Sequence, residues 1–413
     1  MNPSPWICCQ LGAREHYAIP RALHQTKQLA SLITDAWVSP HSRLNMLPNR
    51  LLRSLRDRYH PDLDTAHVQA FTPSLMQFEL GHRLQKMTSW DQMIARNRWF
   101  QQQVLQALKQ NTAQLVQGCD RPIFFTYSYA ALDLLRYAKS QGWYTILGQI
   151  DPGIVEEEIV LAEQQRYPDL SPAWRPVPPS YWDAWKEECA IADQILVNSD
   201  WSKRALQQAG IDQTKLRAVP LVYSAPIEVK QFQRTYPARF SAERPLRVLF
   251  LGRVILRKGI AAVLEAAEQL RNQPIEFWIV GSSEITATAQ DHPKIHWVDS
   301  VPRSETAQYY QQADVFLFPT LSDGFGLTQL EAQAWKLPLI VSQFCGTVVR
   351  EGVNGKVLPE VSGGAIAEML RSFLDCPEQL RELSQSSEQS SSFTLRSLSE
   401  QLQKLSNPLA LKV

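Results

Sequence analysis

The chain contains no run of about 18 consecutive apolar residues, the length a helix needs to cross a bilayer, so no spanning helix is expected. It also lacks an excess of one charge. Lys and Arg number 42 against 41 Asp and Glu, a net charge of +1, which argues against bulk nucleic-acid binding, a process driven by phosphate neutralisation. The six cysteines, Cys8, Cys9, Cys119, Cys189, Cys345 and Cys376, form no C-x-x-C pair and no zinc spacing. Most fall in apolar runs and read as small core residues in a reducing cytosol. Met1 to Trp6 carries no basic stretch and leads straight into a strand-like run, so no secretory signal is expected and the expected compartment is cytoplasmic.

What is present is a regular alternation of short β-like runs and helical segments over 413 residues, enough for two domains. That alternation predicts an α/β fold with parallel sheets covered by helices on both faces. Strands are expected near 6–11, 35–39, 67–71, 123–127, 144–149 and 194–198, then near 246–252, 275–281, 295–298, 314–318, 338–342 and 356–358. Ser224 to Pro245, with Pro226 and Pro237, lacks periodicity and reads as the connection between two sheets. The expected division is a first domain over 1–225, a second over 226–390 and a C-terminal helix over 391–413.

Two loops carry the chemistry. Val315-Phe316-Leu317-Phe318-Pro319 reads as a buried parallel strand. It is followed by Asp323-Gly324-Phe325-Gly326-Leu327 and a helix from Leu327 to Trp335 that carries Glu331. A Gly-rich turn entering a helix offers free backbone N–H groups and a positive dipole end to an anion. Asp323 and Glu331 flank that turn, so amides can take a phosphate while a carboxylate takes a sugar diol; a nucleotide sugar has both groups. The second loop, Gly252-Arg253-Val254-Ile255-Leu256-Arg257-Lys258-Gly259, follows the strand-like run Arg247 to Leu251. It places Arg253 and Lys258 at the carboxyl end of a strand, where open α/β sheets bind ligands. A planar fork and a mobile point charge suit a diphosphate.

These two loops together, with Ala192-Asp193-Gln194-Ile195 after Glu187 or Glu188, the turn Gly352-Val353-Asn354-Gly355, and Ser392-Phe393 before a last amphipathic helix, resemble the retaining glycosyltransferases of family 4. The resemblance covers about 185 to the end. It implies a GT-B fold, two Rossmann-like domains facing each other across a cleft, with the C-terminal helix returning to the first domain. It implies transfer of a sugar from a nucleoside-diphosphate sugar to an acceptor that the sequence does not name. No cofactor and no metal are implied: Arg253 and Lys258 would stabilise the leaving diphosphate, Asp323 would hold hydroxyls of the transferred sugar and Glu331 the ribose. Gly252 and the backbone of Gly324, Phe325, Gly326 and Leu327 would cradle sugar and phosphate, and Gly12 would approach the phosphates from the first domain.

The sequence departs from the family's pattern in three places. Asp323 replaces the usual Glu. Ile150 stands where members often carry a His, with Asp151, Arg14 and His16 as candidate polar groups on the acceptor side. Lys336 takes the place of a helix-capping Gly, at a cost of roughly 1 kcal/mol if it is left-handed. Asp62-Leu63-Asp64 after Pro61 reads as a turn rather than a metal motif. Leu44, Leu47, Leu51, Leu52 and Leu55 among Arg43, Arg50, Arg53, Arg56 and Arg58 form a basic amphipathic stretch over 43–58 that could touch an anionic membrane or pack on its own domain. Tyr181, Trp182 and Trp185 read as core rather than as a sugar platform. Two other functions stay open at this level, a nucleotide-sugar epimerase of the same fold and a non-catalytic nucleotide-sugar-binding relative.

Overall fold

The computed structural model describes residues 4–40, 42, 55, 58–83, 89–116, 119, 121–286, 291–387 and 390–406. Among the described residues the strands form two sheets, and all the strand pairings are parallel. The first contains β1 (Trp6–Gln10), β2 (Leu29–Thr34), β3 (Val68–Ala70), β4 (Ile123–Tyr127), β5 (Tyr144–Gln149), β6 (Gln194–Val197) and β7 (Leu216–Ala218), in the order β3-β2-β1-β4-β5-β6-β7. The second contains β8 (Leu246–Leu251), β9 (Ile275–Val280), β10 (Ile295–Val298), β11 (Val315–Phe318), β12 (Leu339–Val341) and β13 (Gly355–Val357), in the order β10-β9-β8-β11-β12-β13. Central strands β1, β4 and β11 are buried along their whole length, as expected where helices cover both faces. The chain is a two-sheet α/β protein of the expected GT-B type.

Two strands differ from expectation. β2 covers Leu29–Thr34 rather than 35–39. The apolar run Ala36-Trp37-Val38 is the stronger sequence signal, but the backbone turns at Asp35, whose Oδ1 accepts from the N–H of Gly12 at 2.9 Å and of Ala36 at 3.0 Å. Ala36 and Val38 then pack into the core from a loop. β7 was not expected at all; three residues on a sheet edge carry too little periodicity to read.

The connection from β7 to β8 is mostly irregular, and its second half belongs to the second core. Tyr236 and Phe240 are buried there, and the Tyr236 hydroxyl donates to the Asp314 carbonyl at 3.0 Å. The last helix, Leu395–Leu405, crosses back to the first sheet. Leu398, Leu402 and Leu405 pack with Trp6, Leu23 and Leu32, and Trp6 Nε1 donates to Ser406 Oγ at 2.9 Å. Among the described residues no helix is long and apolar enough to cross a membrane. The amphipathic stretch 43–58 lies, apart from Leu55 and Arg58, outside the described residues.

Candidate functional site

Both sheets reverse strand order beside their first strand, at β1/β4 and at β8/β11. Such switch points open a crevice at the carboxyl ends of the strands. In the second sheet that crevice holds the two loops singled out from sequence. Lys258 closes a short 3₁₀ turn, Leu256–Lys258, and Gly259 follows with φ +73°. A Cβ on Gly259 would drive into the Pro319 carbonyl oxygen. Glycine there lets the loop after β8 lie directly on the loop after β11.

That approach joins the candidate residues. Lys258 Nζ pairs with Asp323 Oδ2, and both side chains are largely buried. Lys258 also sits 4.7 Å from the centre of the Phe318 ring, a cation–π contact. Burial raises the Asp323 carboxyl, but Lys258 and then Arg257 outweigh it and hold it below the usual carboxylate range. Burial draws the Lys258 ammonium down, opposed mainly by Asp323. Each charge thus opposes the effect of burial on the other.

Glu331 lies on the helix Leu327–Ala334, entered through Gly326 at φ +86°. It accepts from the Tyr310 hydroxyl at 2.8 Å and lies 3.8 Å from an Arg303 nitrogen. Burial raises its carboxyl, partly offset by Tyr310 and Arg303. Phe325 is buried against Phe393 at 5.8 Å between ring centres, which explains the Ser392-Phe393 segment: it props the Gly-rich loop from behind. Arg253 stands apart. It is 61 % exposed and paired with Glu284, and Gly252 before it has φ +149°.

On the opposite wall, the loop after β1 is built unusually. Gly12 has φ +83°, and Glu15, His16 and Tyr17 all have φ between 51° and 57°. Arg14–Tyr17 is a kinked 3₁₀ segment, and the first α-helix begins at Ala18. Non-glycine residues in the left-handed region cost energy and persist only where surroundings hold them. Here the burial of Tyr17, the half-buried Glu15 and the cross-cleft contact of His16 with Arg303 do the holding. Burial, with Arg303, His60 and Arg21, lowers the His16 imidazole to about 4, so it is neutral at neutral pH. Arg14 lies 5.8 Å from the Tyr127 ring centre. Asp151 is taken up within its own domain, accepting from Tyr129, from Gln149 Nε2 at 2.9 Å and from the Gly153 N–H at 2.9 Å.

Sequence reasoning overlooked the seam between the two walls. A Cβ on Gly324 would run into the Ile150 carbonyl oxygen, and Ser202 Oγ donates to the Gly324 carbonyl at 3.2 Å. Glu156, on the helix Ile154–Arg166, accepts from Ser322 Oγ at 2.9 Å and from Arg257 Nη1 at 3.3 Å. Glu156 sits in a Glu156-Glu157-Glu158 run that reads as a solvated helix face, so no sequence signal marks it. Glu188 has a structural post: its carboxylate accepts from the N–H groups of Tyr129, Ala131 and Leu132, at the start of the helix Leu132–Ser140. Trp185 is fully buried, while Tyr181 and Trp182 are half-buried, Tyr181 stacking on Tyr129 at 4.9 Å. Asp62 occupies the 3₁₀ turn Pro61–Leu63 and pairs with Arg21 at 2.8 Å.

Comparison with known proteins covers the same ground. Residues 245–376 match the family model for glycosyl transferases group 1. The amylovoran biosynthesis glycosyltransferase AmsK of Erwinia amylovora is 29% identical over 149 residues, 32% of this chain and 37% of that protein. A D-inositol 3-phosphate glycosyltransferase of Kribbella flavida is 27% identical over 212 residues, 45% of this chain and 49% of that one. The chain thus spans half or less of the length of these curated relatives. In fold the match is end to end: sucrose-phosphate synthase of Thermosynechococcus elongatus superposes with a TM-score of 0.67 at 17% identity, covering 98% of this chain and 99% of that one. The Anabaena protein HepE in complex with UDP-glucose superposes with a TM-score of 0.60 at 13% identity, covering 97% and 98%. The chain is a GT-B-fold protein whose residues 245–376 match the family model for glycosyl transferases group 1.

Proposed function

We propose that this protein is a retaining glycosyltransferase of family 4 type that moves a sugar from a nucleoside-diphosphate sugar to a saccharide, lipid-linked or small-molecule acceptor. The observation that carries the reading is the buried Lys258–Asp323 pair beside the Gly324–Leu327 backbone, at the β8/β11 switch point of the matched domain. A cation there meets the negative charge that grows on a departing diphosphate, and a preorganised charge of this kind supplies much of the rate enhancement in transfer reactions. Asp323 turns to the sugar hydroxyls once donor phosphate engages Lys258, and Glu331 takes the ribose. HepE, similar in fold, was crystallised with UDP and UDP-glucose, which makes a uridine donor the first to try.

In this reading the segment 226–390 takes the donor, 1–225 presents the acceptor with Arg14, His16 and Asp151 near it, and 391–413 ties the two together. Lys258 and Arg253 neutralise the diphosphate without a metal, and the protein works in the cytoplasm with no cofactor. Thermal-shift titration against nucleoside diphosphates and their sugars tests the donor, because a ligand specific to the folded state raises the midpoint. No rise with any of them overturns the reading. Turnover that vanishes in excess chelator and returns with a divalent ion overturns metal independence, and a product of opposite anomeric configuration, read by NMR, overturns retention.

A further inference from the structure

The Glu156 carboxylate comes from the first domain, yet its partners, Arg257 and Ser322, belong to the two donor loops of the second. Arg257 Nη1 is 3.3 Å from Glu156 Oε2 and 4.0 Å from Asp323 Oδ2. One guanidinium is therefore shared unequally between two acids, while Lys258 pairs with Asp323 at closer range. Arg257 also donates to the Ser322 carbonyl at 3.0 Å, and its own carbonyl accepts from the Leu321 N–H at 2.8 Å. Trp201, again from the first domain, donates to Ser322 Oγ at 3.2 Å. These contacts lock the loop after β8, the loop after β11 and the first domain into one junction.

We infer that Glu156 is a positioning residue for the donor site: it draws Arg257 across the domain seam and away from Asp323, leaving Lys258 as the partner of Asp323. The inference rests on the donor-site reading above. Without an anionic acceptor at position 156, Arg257 turns to the nearest remaining carboxylate, Asp323. Lys258 and Arg257 then compete for one acid, and the loop that presents Lys258 to the diphosphate is displaced. The charged groups around Glu156 are Arg257 and Asp323 from the second domain and Asp151 from its own. Lys258 pairs with Asp323 and also feels the Glu156 charge, more weakly.

The test is a mutant cycle on the full chain with UDP-glucose as probe, following donor hydrolysis and, by calorimetry, UDP binding. Burial raises the Glu156 carboxyl to about 7, so the assay runs above that pH, where the group is ionised; there Glu156→Gln keeps the shape and a hydrogen-bond acceptor for Ser322 but removes the charge. It should lower kcat by about tenfold while the KM for donor stays within about twofold, the pattern of an interaction realised in the transition state. Arg257→Gln placed on top should recover part of that loss, because the misdirected cation is gone; such coupling is what a cycle isolates. A double mutant as slow as the product of the two single losses, or slower, overturns the inference. Wild-type protein that neither binds UDP nor turns over UDP-glucose would count against the uridine donor and leave Glu156 to a crystal structure of Glu156→Gln. There Arg257 should lie closer to Asp323 than 4.0 Å, and an Arg257 that stays in place overturns the inference with no donor involved.

Discussion

The two switch points share a topology and differ in how their loops are held. At β8/β11 the loops are tied by opposite charges on neighbouring side chains, Lys258 with Asp323 and Arg257 with Glu156. At β1/β4 the loop after β1 is held by backbone conformation and burial: Gly12 and three consecutive left-handed residues fold Glu15 and Tyr17 inward. A loop tied by charge leaves its cations ready to exchange a protein carboxylate for a ligand phosphate. A loop held by buried, strained backbone is set in one shape and offers a surface. On the proposed function, the contrast would give the second domain the reacting charges and the first domain a wall against which a second substrate is placed.

The sharpest way to break that contrast is to remove the charge at β8/β11. Lys258→Ala should lower turnover by ~10²–10³, the usual cost of losing one charge-stabilising donor, with the fold intact by circular dichroism. Arg253→Ala should cost less, because Arg253 is 61 % exposed and pairs with Glu284; it must leave that partner to reach a donor. Near-normal turnover in both single mutants would remove the diphosphate clamp from the mechanism.

The two acids of the same site should fail differently. Glu331→Ala should weaken binding of a nucleoside diphosphate itself by ~1.5–3 kcal/mol, the worth of a hydrogen bond to a charged group, as measured by calorimetry. Asp323→Ala should spare that affinity and impair turnover, since it releases Lys258 from the acid it pairs with and removes a contact to the sugar. Asp323→Glu, the residue usual in the family, should keep activity. If Asp323→Ala loses the nucleotide and Glu331→Ala keeps it, the two roles are reversed.

How much of this was legible follows from the same contrast. The loops after β8 and β11 announce themselves because charge and glycine stand next to each other in sequence, so a local pattern names Lys258, Asp323 and Glu331. The placement of β8, β9 and β10 and of the helix from Ile260 could be read for the same local reason: an apolar run, then a Gly turn, then helical periodicity. What could not be read depends on contacts far apart in the chain. Glu156 meets Arg257 across 101 residues, and nothing in a run of three glutamates distinguishes the one that turns inward. β2 was misplaced because Asp35 ends the strand through contacts to Gly12 and Arg58, partners that no window around residue 35 contains. The left-handed course of 15–17 is likewise imposed from outside; its residues carry none of the glycine that would have signalled it.

Buried acids respond to pH in two directions, and not region by region, since Glu331 in the second domain is raised on folding as well. Burial pushes Glu188 and Glu15 up to about 7, above the unfolded value of about 4.3. A carboxyl raised on folding contributes stability that is full below its unfolded value and is lost as pH rises through about 7. Asp323, lowered on folding, does the reverse: its contribution is present above the unfolded value and is lost as pH falls through the folded one. Thermal midpoints should therefore decline from about pH 5 to about pH 8 through the first domain's acids. Glu188→Gln should flatten that slope while lowering the midpoint throughout, since its amide leaves a buried backbone N–H without its acceptor, at a cost of ~1–3 kcal/mol. An unchanged slope in Glu188→Gln would mean that this carboxyl does not titrate in that window.

The smallest effect isolates backbone strain of the β1-loop kind in the charge-tied domain. Lys336 has φ 55° at the end of the Glu331 helix, where a glycine would carry no Cβ penalty. Its Nζ donates to the Phe232 carbonyl at 3.0 Å, and its own carbonyl accepts from Ser384 Oγ at 2.8 Å. The side-chain bond offsets part of the strain. Lys336→Ala keeps the Cβ in left-handed backbone and loses the bond, so it should lower stability by ~1 kcal/mol. Lys336→Gly loses the same bond but releases a left-handed penalty of ~1–2 kcal/mol, and should end about 0.5 kcal/mol above wild type. Urea midpoints for the three proteins give the answer directly. The gap between the glycine and alanine variants is the strain, and equal midpoints for the two would show that the left-handed turn costs this helix nothing.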